Sequence, residues 1–129
     1  MLPRVVLTHY MYEYQASLLS VVDGDTVDVT VDLGFRIHRE IRLRLEGVDT
    51  HETYGVSKDS EEYRKGTEEK AFVEAWFGDA ETEEFEWPVL IRTEKTGKFG
   101  RYIADVERKS DGAVLNSDLI ERFGEEVRY

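Results

Sequence analysis

The stretch Thr26-Val27-Asp28-Val29-Thr30-Val31-Asp32-Leu33 alternates polar and apolar side chains without a break. A period of two marks a strand with one face in the core, so Val27, Val29, Val31 and Leu33 are expected on the buried side. Gly34 interrupts the pattern. It resumes from Ile37 to Leu45, where Ile41, Leu43 and Leu45 face one way and Arg42 and Arg44 the other, and Gly47 closes the strand. Upstream, the turn Asp23-Gly24-Asp25 separates the alternating stretch from a Tyr-, Val- and Leu-rich strand over about Tyr10 to Val22. Three strands joined by short turns predict a meander.

Downstream, His51 to Gly66 holds few aliphatic and many charged residues and reads as a long exposed loop. Thr67 is a suitable N-cap, with Glu68 and Glu69 in the first turn where the helix dipole favours anions. Ala71, Phe72, Ala75 and Trp76 then make an apolar stripe, and Gly78 is expected to stop the helix. Phe85-Glu86-Trp87 and Val89-Leu90-Ile91 read as a fourth strand, with Pro88 marking an edge or bulge. Past a Gly-containing tip at Thr96 to Gly100, Arg101 to Arg108 reads as the fifth strand, closed by Ser110-Asp111-Gly112. Leu115 to Phe123 reads as a second helix with Leu115, Leu119, Ile120 and Phe123 inside. This order predicts a mainly β (α+β) fold, a five-stranded OB-type Greek-key barrel with one helix after strand three and one at the C-terminal end.

A chain of 129 residues, 40% hydrophobic, can bury one core and has no room for a second, so a single domain is expected, its core spanning about residues 10–123. Without cysteine there is no disulfide framework, zinc ribbon or thiol nucleophile. His9, His38 and His51 lack zinc-ligand spacing. No apolar run approaches the roughly 18 residues of a membrane span, and Val5-Val6-Leu7 is too short for a signal-peptide core. A cytoplasmic monomer with no membrane contact and no obligate protein partner is therefore expected. The net charge of -11 should repel nucleic acid on average. Such acidity suits a high-salt interior or an ordinary acidic cytosolic protein.

Against that charge stands a small set of residues at strand ends. Asp25 opens the second strand, and Asp49 and Glu52 follow the third, so all three can meet at one mouth of the barrel. Carboxylates gathered there would form a hard-oxygen site for calcium or magnesium, and anions so close call for a cation. The competing possibility is that they are solvated surface acids. Arg44 and Arg101 bring planar forks that grip phosphate bidentately, or else pair with surface acids. A divalent cation, two forks and a carboxylate free to take a proton are the parts of phosphodiester hydrolysis.

Three blocks carry a resemblance: Asp23-Gly24-Asp25-Thr26, then Arg44-Leu45-Glu46-Gly47-Val48-Asp49-Thr50-His51-Glu52, then Lys98-Phe99-Gly100-Arg101. In this order they resemble the signature of the staphylococcal nuclease (thermonuclease) family, DGDT, R-L-x-G-[IV]-D-[TA]-P-E and [KR]-[YF]-G-R, over about Ala16 to Phe123. The resemblance implies an OB-fold, calcium-dependent phosphodiesterase that cuts the P–O5′ bond of DNA and RNA and leaves 3′-phosphates. By position it implies Asp25 and Asp49 as carboxylate ligands of calcium, the Thr50 backbone carbonyl as a further ligand, and Glu52 as general base. Arg44 and Arg101 would hold the scissile phosphate, and Lys98 and Phe99 would lie beside the nucleotide, Phe99 offering a stacking face but no hydroxyl. Asp23 would help hold the turn behind the ligands, and Tyr129 falls near a nucleotide-contacting Tyr. The chain departs from the pattern at His51, where the family has Pro, which removes a backbone constraint beside the base. His51 is expected to point to solvent, or else to shift the proton affinity of Glu52. The loop after Glu52 carries Glu61 and Glu62, so it should grip a nucleic-acid backbone less well than a Lys-rich loop. The fold also serves as a degenerate module that binds nucleic acid or protein without cutting. Against that alternative, Asp25, Arg44, Asp49, Glu52 and Arg101 are all present.

Overall fold

The computed structural model describes residues 12–93 and 102–129. The elements run β1 (Tyr12–Asp23), β2 (Thr26–Asp32), β3 (His38–Leu45), α1 (Glu61–Ala80), β4 (Val89–Thr93), β5 (Tyr102–Arg108) and α2 (Leu115–Phe123), followed by a 3-10 turn at Gly124–Val127. The long β1 serves two partners, pairing antiparallel with β2 from Ala16 onward and with β4 through Tyr12 to Ala16. Register shifts between Leu18 and Ser20 and between Val21 and Asp23 bend it. A parallel pairing of β3 with β5, Leu43 opposite Tyr102, closes the sheet in the order β1-β2-β3-β5-β4. The result is a closed five-stranded mixed barrel with one helix after β3 and one at the C-terminal end, an OB-fold-like α+β architecture as the sequence predicts.

The core follows from the period-two faces. Val27, Val29, Val31, Leu43 and Leu45 are buried, as are Val89, Ile91, Ala104 and Val106 from the other side of the barrel. Helix α1 adds Val73, Trp76, Phe77 and Ala80, and α2 adds Leu115 and Leu119. Full burial of each Val or Leu contributes about 1.5–3 kcal/mol. Buried Asn116 joins α2 to the sheet: its Oδ1 accepts from the Val106 amide (3.1 Å), and its Nδ2 donates to the Glu46 (2.9 Å) and Ala104 (3.1 Å) carbonyls.

Several boundaries differ from expectation. Leu33 is exposed, not buried, because β2 ends at Asp32 and the chain leaves the barrel through three left-handed residues, Gly34 (φ 84), Phe35 (φ 55) and Arg36 (φ 61). Helix α1 begins at Glu61, capped by Ser60, whose Oγ accepts from the Tyr63 amide at 3.1 Å. The expected cap at Thr67 lies inside the helix, and the exposed loop ends at Ser60 rather than Gly66. Ser60-Glu61-Glu62 repeats the signal of Thr67-Glu68-Glu69 two helical turns earlier, and the earlier one has the side-chain cap. The buried stripe is accordingly Gly66, Glu69, Val73, Trp76, Phe77 and Ala80; Ala71 and Ala75 face outward and Gly78 does not end the helix. Phe85-Glu86-Trp87 lies outside β4, which starts only after Pro88, a residue with no amide to contribute to a ladder. No helix among the described residues is long and apolar enough to cross a membrane.

Candidate active site

The register of β2 on β3 places Thr26 opposite Arg44, so the start of one strand and the end of the other meet at one end of the barrel. Asp25 sits there with 5% of its surface exposed. Its Oδ1 accepts from the Thr26 hydroxyl (2.8 Å) and its Oδ2 from the Thr50 amide (3.0 Å). The Arg44 guanidinium spans two carboxylates: Nη1 lies 3.1 Å from Asp25 Oδ2, and Nη2 lies 3.3 Å from Asp49 Oδ1. Nη2 also donates to the Val48 carbonyl at 3.2 Å. Asp25, Arg44, Asp49 and Thr50 are thus brought together, Thr50 through its amide. Arg44 pairs with acids, but with acids of the site itself.

The cleft over this cluster has a volume of about 320 Å³, and Asp23, Asp25, Arg42, Arg44, Thr50, His51 and Glu52 contribute to its walls. Glu52 is exposed at its mouth, and among the described residues its carboxylate makes no hydrogen bond or ion pair. Asp23 stands behind the cluster, its Oδ1 taking the Thr53 hydroxyl hydrogen at 2.8 Å, which ties the β1–β2 turn to the loop carrying Glu52. Gly24 lets these pieces close: a Cβ there would lie 2.7 Å from Thr50 Cγ2 and 3.1 Å from Glu69 Cβ. From behind, the C-terminal segment holds the Asp49 strand end, through Asp49 N to Val127 O (2.8 Å) and Tyr129 N to Gly47 O (3.0 Å). The Tyr129 ring itself is exposed.

Two residues of the site go beyond the sequence-derived set. Arg42 lines the cleft two residues before Arg44 on the same face and holds Asp28 bidentately at 2.8 and 3.1 Å. That guanidinium keeps the Asp28 carboxyl below its usual range, and the carboxylate raises Arg42 in turn. The alternation on β3 already put Arg42 beside Arg44. The other is Glu69, 1% exposed, which binds His51: Glu69 Oε1 accepts the His51 amide and Oε2 lies against Nδ1, both at 2.8 Å. His51 does not point to solvent, because this buried carboxylate turns its ring toward α1. A signal for Glu69 existed in its spacing of four and seven residues from Val73 and Trp76. Lys98, Phe99 and Arg101 lie outside the described residues.

Among the described residues no three His, Asp or Glu side chains form a ready-made metal cage. The expected calcium donors are instead two carboxylates and a backbone carbonyl, and they fit a hard cation in three respects. All are oxygens. Asp25 and Asp49 already converge on one positive centre. The buried Thr50 Oγ1 has no partner among the described residues, so polar capacity in this corner is unspent. The chain matches no protein-family model, and no match is found among curated proteins.

Proposed function

We propose that the protein is a divalent-cation-dependent phosphodiesterase acting on DNA or RNA. The observation that supports this most is the convergence of Asp25, Asp49 and Arg44 in one ion-pair cluster beside a cleft that Glu52 lines, its carboxylate without a partner among the described residues. The ordered sequence blocks that resemble the staphylococcal nuclease family supply the reaction class. In this proposal Asp25, Asp49 and the Thr50 carbonyl hold calcium, which supplies charge neutralisation for the carboxylates and the scissile phosphate. Glu52 takes a proton from a water molecule, whose oxygen forms a bond to phosphorus. The P–O5′ bond breaks, the 5′-oxygen leaves and takes a proton from solvent water, and the phosphate stays on the 3′ side. Arg44, once released from Asp49 and Asp25, presents its fork to the phosphate and stabilises charge as it builds. Arg101, Lys98 and Phe99 keep the roles that the resemblance implies.

The test is incubation with single- and double-stranded DNA and RNA in calcium, in magnesium and in chelator. Cleavage with calcium, none with chelator, and 3′-phosphate ends are expected. One observation favours the alternative, a module that binds without cutting: the Arg44 guanidinium is engaged by two carboxylates, Asp25 and Asp49. Nucleic acid that binds in calcium yet is never cut would establish that alternative.

A further inference from the structure

We infer that Glu69 and His51 are positioning residues that clamp the backbone beside Glu52, doing with two hydrogen bonds what a proline ring does in the pattern the chain resembles. This rests on the phosphodiesterase proposal, which makes Glu52 the base. Glu69 lies in the core-facing stripe of α1, between Gly66 and Val73, at 1% exposure. Glutamates are almost never fully buried unless paired, because desolvating the carboxylate is expensive. Both Glu69 oxygens are committed to one residue, one to the His51 amide and one to its ring. Stability alone gives little reason for the arrangement, since well-packed apolar side chains commonly serve as well as a buried pair. What the pair adds is placement.

The placement is specific. Thr50 N is held by Asp25, His51 N by Glu69, and the Thr53 hydroxyl by Asp23. On the helix side, Gly66 presses against the same segment: a Cβ there would meet His51 O at 2.7 Å, Thr53 Cγ2 at 2.8 Å and Glu52 O at 3.1 Å. Residues 50–53 are therefore fixed from both sides, and Glu52 among them lines the cleft. Proline at 51 would fix φ without help, but it has no amide hydrogen, and Glu69 Oε1 would lose its donor. His51 and Glu69 are thus a matched pair, each awkward without the other.

The test is a cycle of Glu69→Ala, Glu69→Gln, His51→Pro and the double variant His51→Pro/Glu69→Ala, read by kcat, KM, calcium affinity and amide hydrogen exchange. Glu69→Ala is expected to lower kcat by about 10- to 100-fold, as small misplacements of a catalytic group do, with KM unchanged and calcium affinity weakened, because the Thr50 carbonyl shares a peptide unit with the His51 amide that Glu69 holds. Exchange at the His51 amide should quicken by about tenfold. Glu69→Gln should recover most of the lost kcat, since its oxygen still accepts the amide and its Nε2 can donate to Nδ1. His51→Pro alone should be impaired, with Glu69 left buried without partners, and the double variant should be faster than either single one. A folded Glu69→Ala protein with wild-type kcat, or a double variant no better than His51→Pro, overturns the inference. If the Ala variant does not fold, the Gln and double variants decide. Should the wild type cleave nothing, the phosphodiesterase proposal fails by itself, and exchange decides the clamp: quickening confined to residues 50–53 supports it, and unchanged exchange overturns it.

Discussion

Two glycines on one helix should respond to the same substitution with opposite signs. Gly66 and Gly78 both lie inside α1. In an unobstructed helix interior, Gly→Ala gains about 0.5–1 kcal/mol by restricting the unfolded chain. A Cβ at Gly78 meets nothing within 4 Å, so Gly78→Ala should gain toward the lower end of that range, being near the helix end, and raise Tm by about 2–3 °C. At Gly66 the added carbon lands 2.7 Å from His51 O and 3.1 Å from Glu52 O. Both are backbone atoms and cannot rotate away. Relief requires the helix and loop to separate, an overpacking penalty of about 1–3 kcal/mol. Less the propensity gain, Gly66→Ala should lose about 1–2 kcal/mol and lower Tm by about 3–8 °C in a chain of this size. Thermal and urea unfolding followed by circular dichroism, with the urea m-value as a check on two-state behaviour, measures both. If Gly66→Ala stabilises the protein as Gly78→Ala does, α1 does not press on the 51–53 backbone and the account of the site's support is wrong. Because the displaced atoms flank Glu52, Gly66→Ala should also slow cleavage at temperatures where the variant is fully folded.

Glu52→Gln should lower kcat by about 10²–10⁴-fold with calcium affinity retained, since an amide cannot take the proton; an active Glu52→Gln protein removes Glu52 from the role of base. Arg44→Lys should also damage turnover, because a point charge cannot span Asp25, Asp49 and a phosphate as a fork does, and steady-state kinetics would show it. Initial cleavage rate at saturating calcium should rise and then fall along a monovalent-salt titration, as screening first relieves the repulsion from a net charge of -11 and then weakens the few phosphate contacts. A steep fall from the lowest salt would mean a larger basic surface. Asp111, at the turn between β5 and α2, accepts from Arg108 Nε (3.0 Å) and Nη2 (2.6 Å) and from the Ala113 amide (3.0 Å), with its pKa lowered from 3.8 to about 2 chiefly by Arg108. A depressed folded pKa stabilises at pH above the unfolded value, so Asp111→Asn should be less stable than wild type near neutrality. The gap should close between about pH 4 and pH 2 in acid unfolding curves.

The barrel was legible because one-sided burial forces a period of two, and Val27 to Val31 and Leu43 to Leu45 obey it. Where burial stops, the pattern misleads: Leu33 continues the alternation for one residue past the point where the chain leaves the barrel. The start of α1 was ambiguous for a different reason. Two cap signals stand seven residues apart in nearly the same helical phase, and local propensity cannot choose between them. In the folded chain the earlier start carries the Ser60 cap and lets Gly66 dock as part of the helix against the 51–53 backbone. Asp25, Arg44 and Glu52, which line the cleft, were legible from their places at or just past strand ends, and Asp49 joins them through its ion pair with Arg44.

Glu69 was not legible as a partner of the site. In a chain with 28 acidic residues, the weight of composition assigns any one of them to solvent, and a first-turn glutamate has a ready dipole explanation. That explanation lapses once the helix starts at Glu61, because Glu69 is then in its third turn and on its buried face. An acid in such a place demands a donor. The donor it finds is the one residue of the Arg44–Glu52 block that breaks the resembled pattern, and it uses the amide that a proline would have lacked. A missing proline and a misplaced glutamate, unrelated oddities eighteen positions apart in sequence, are one feature of the folded chain. Departures from a motif are therefore best read in pairs, by asking which buried group the departure satisfies.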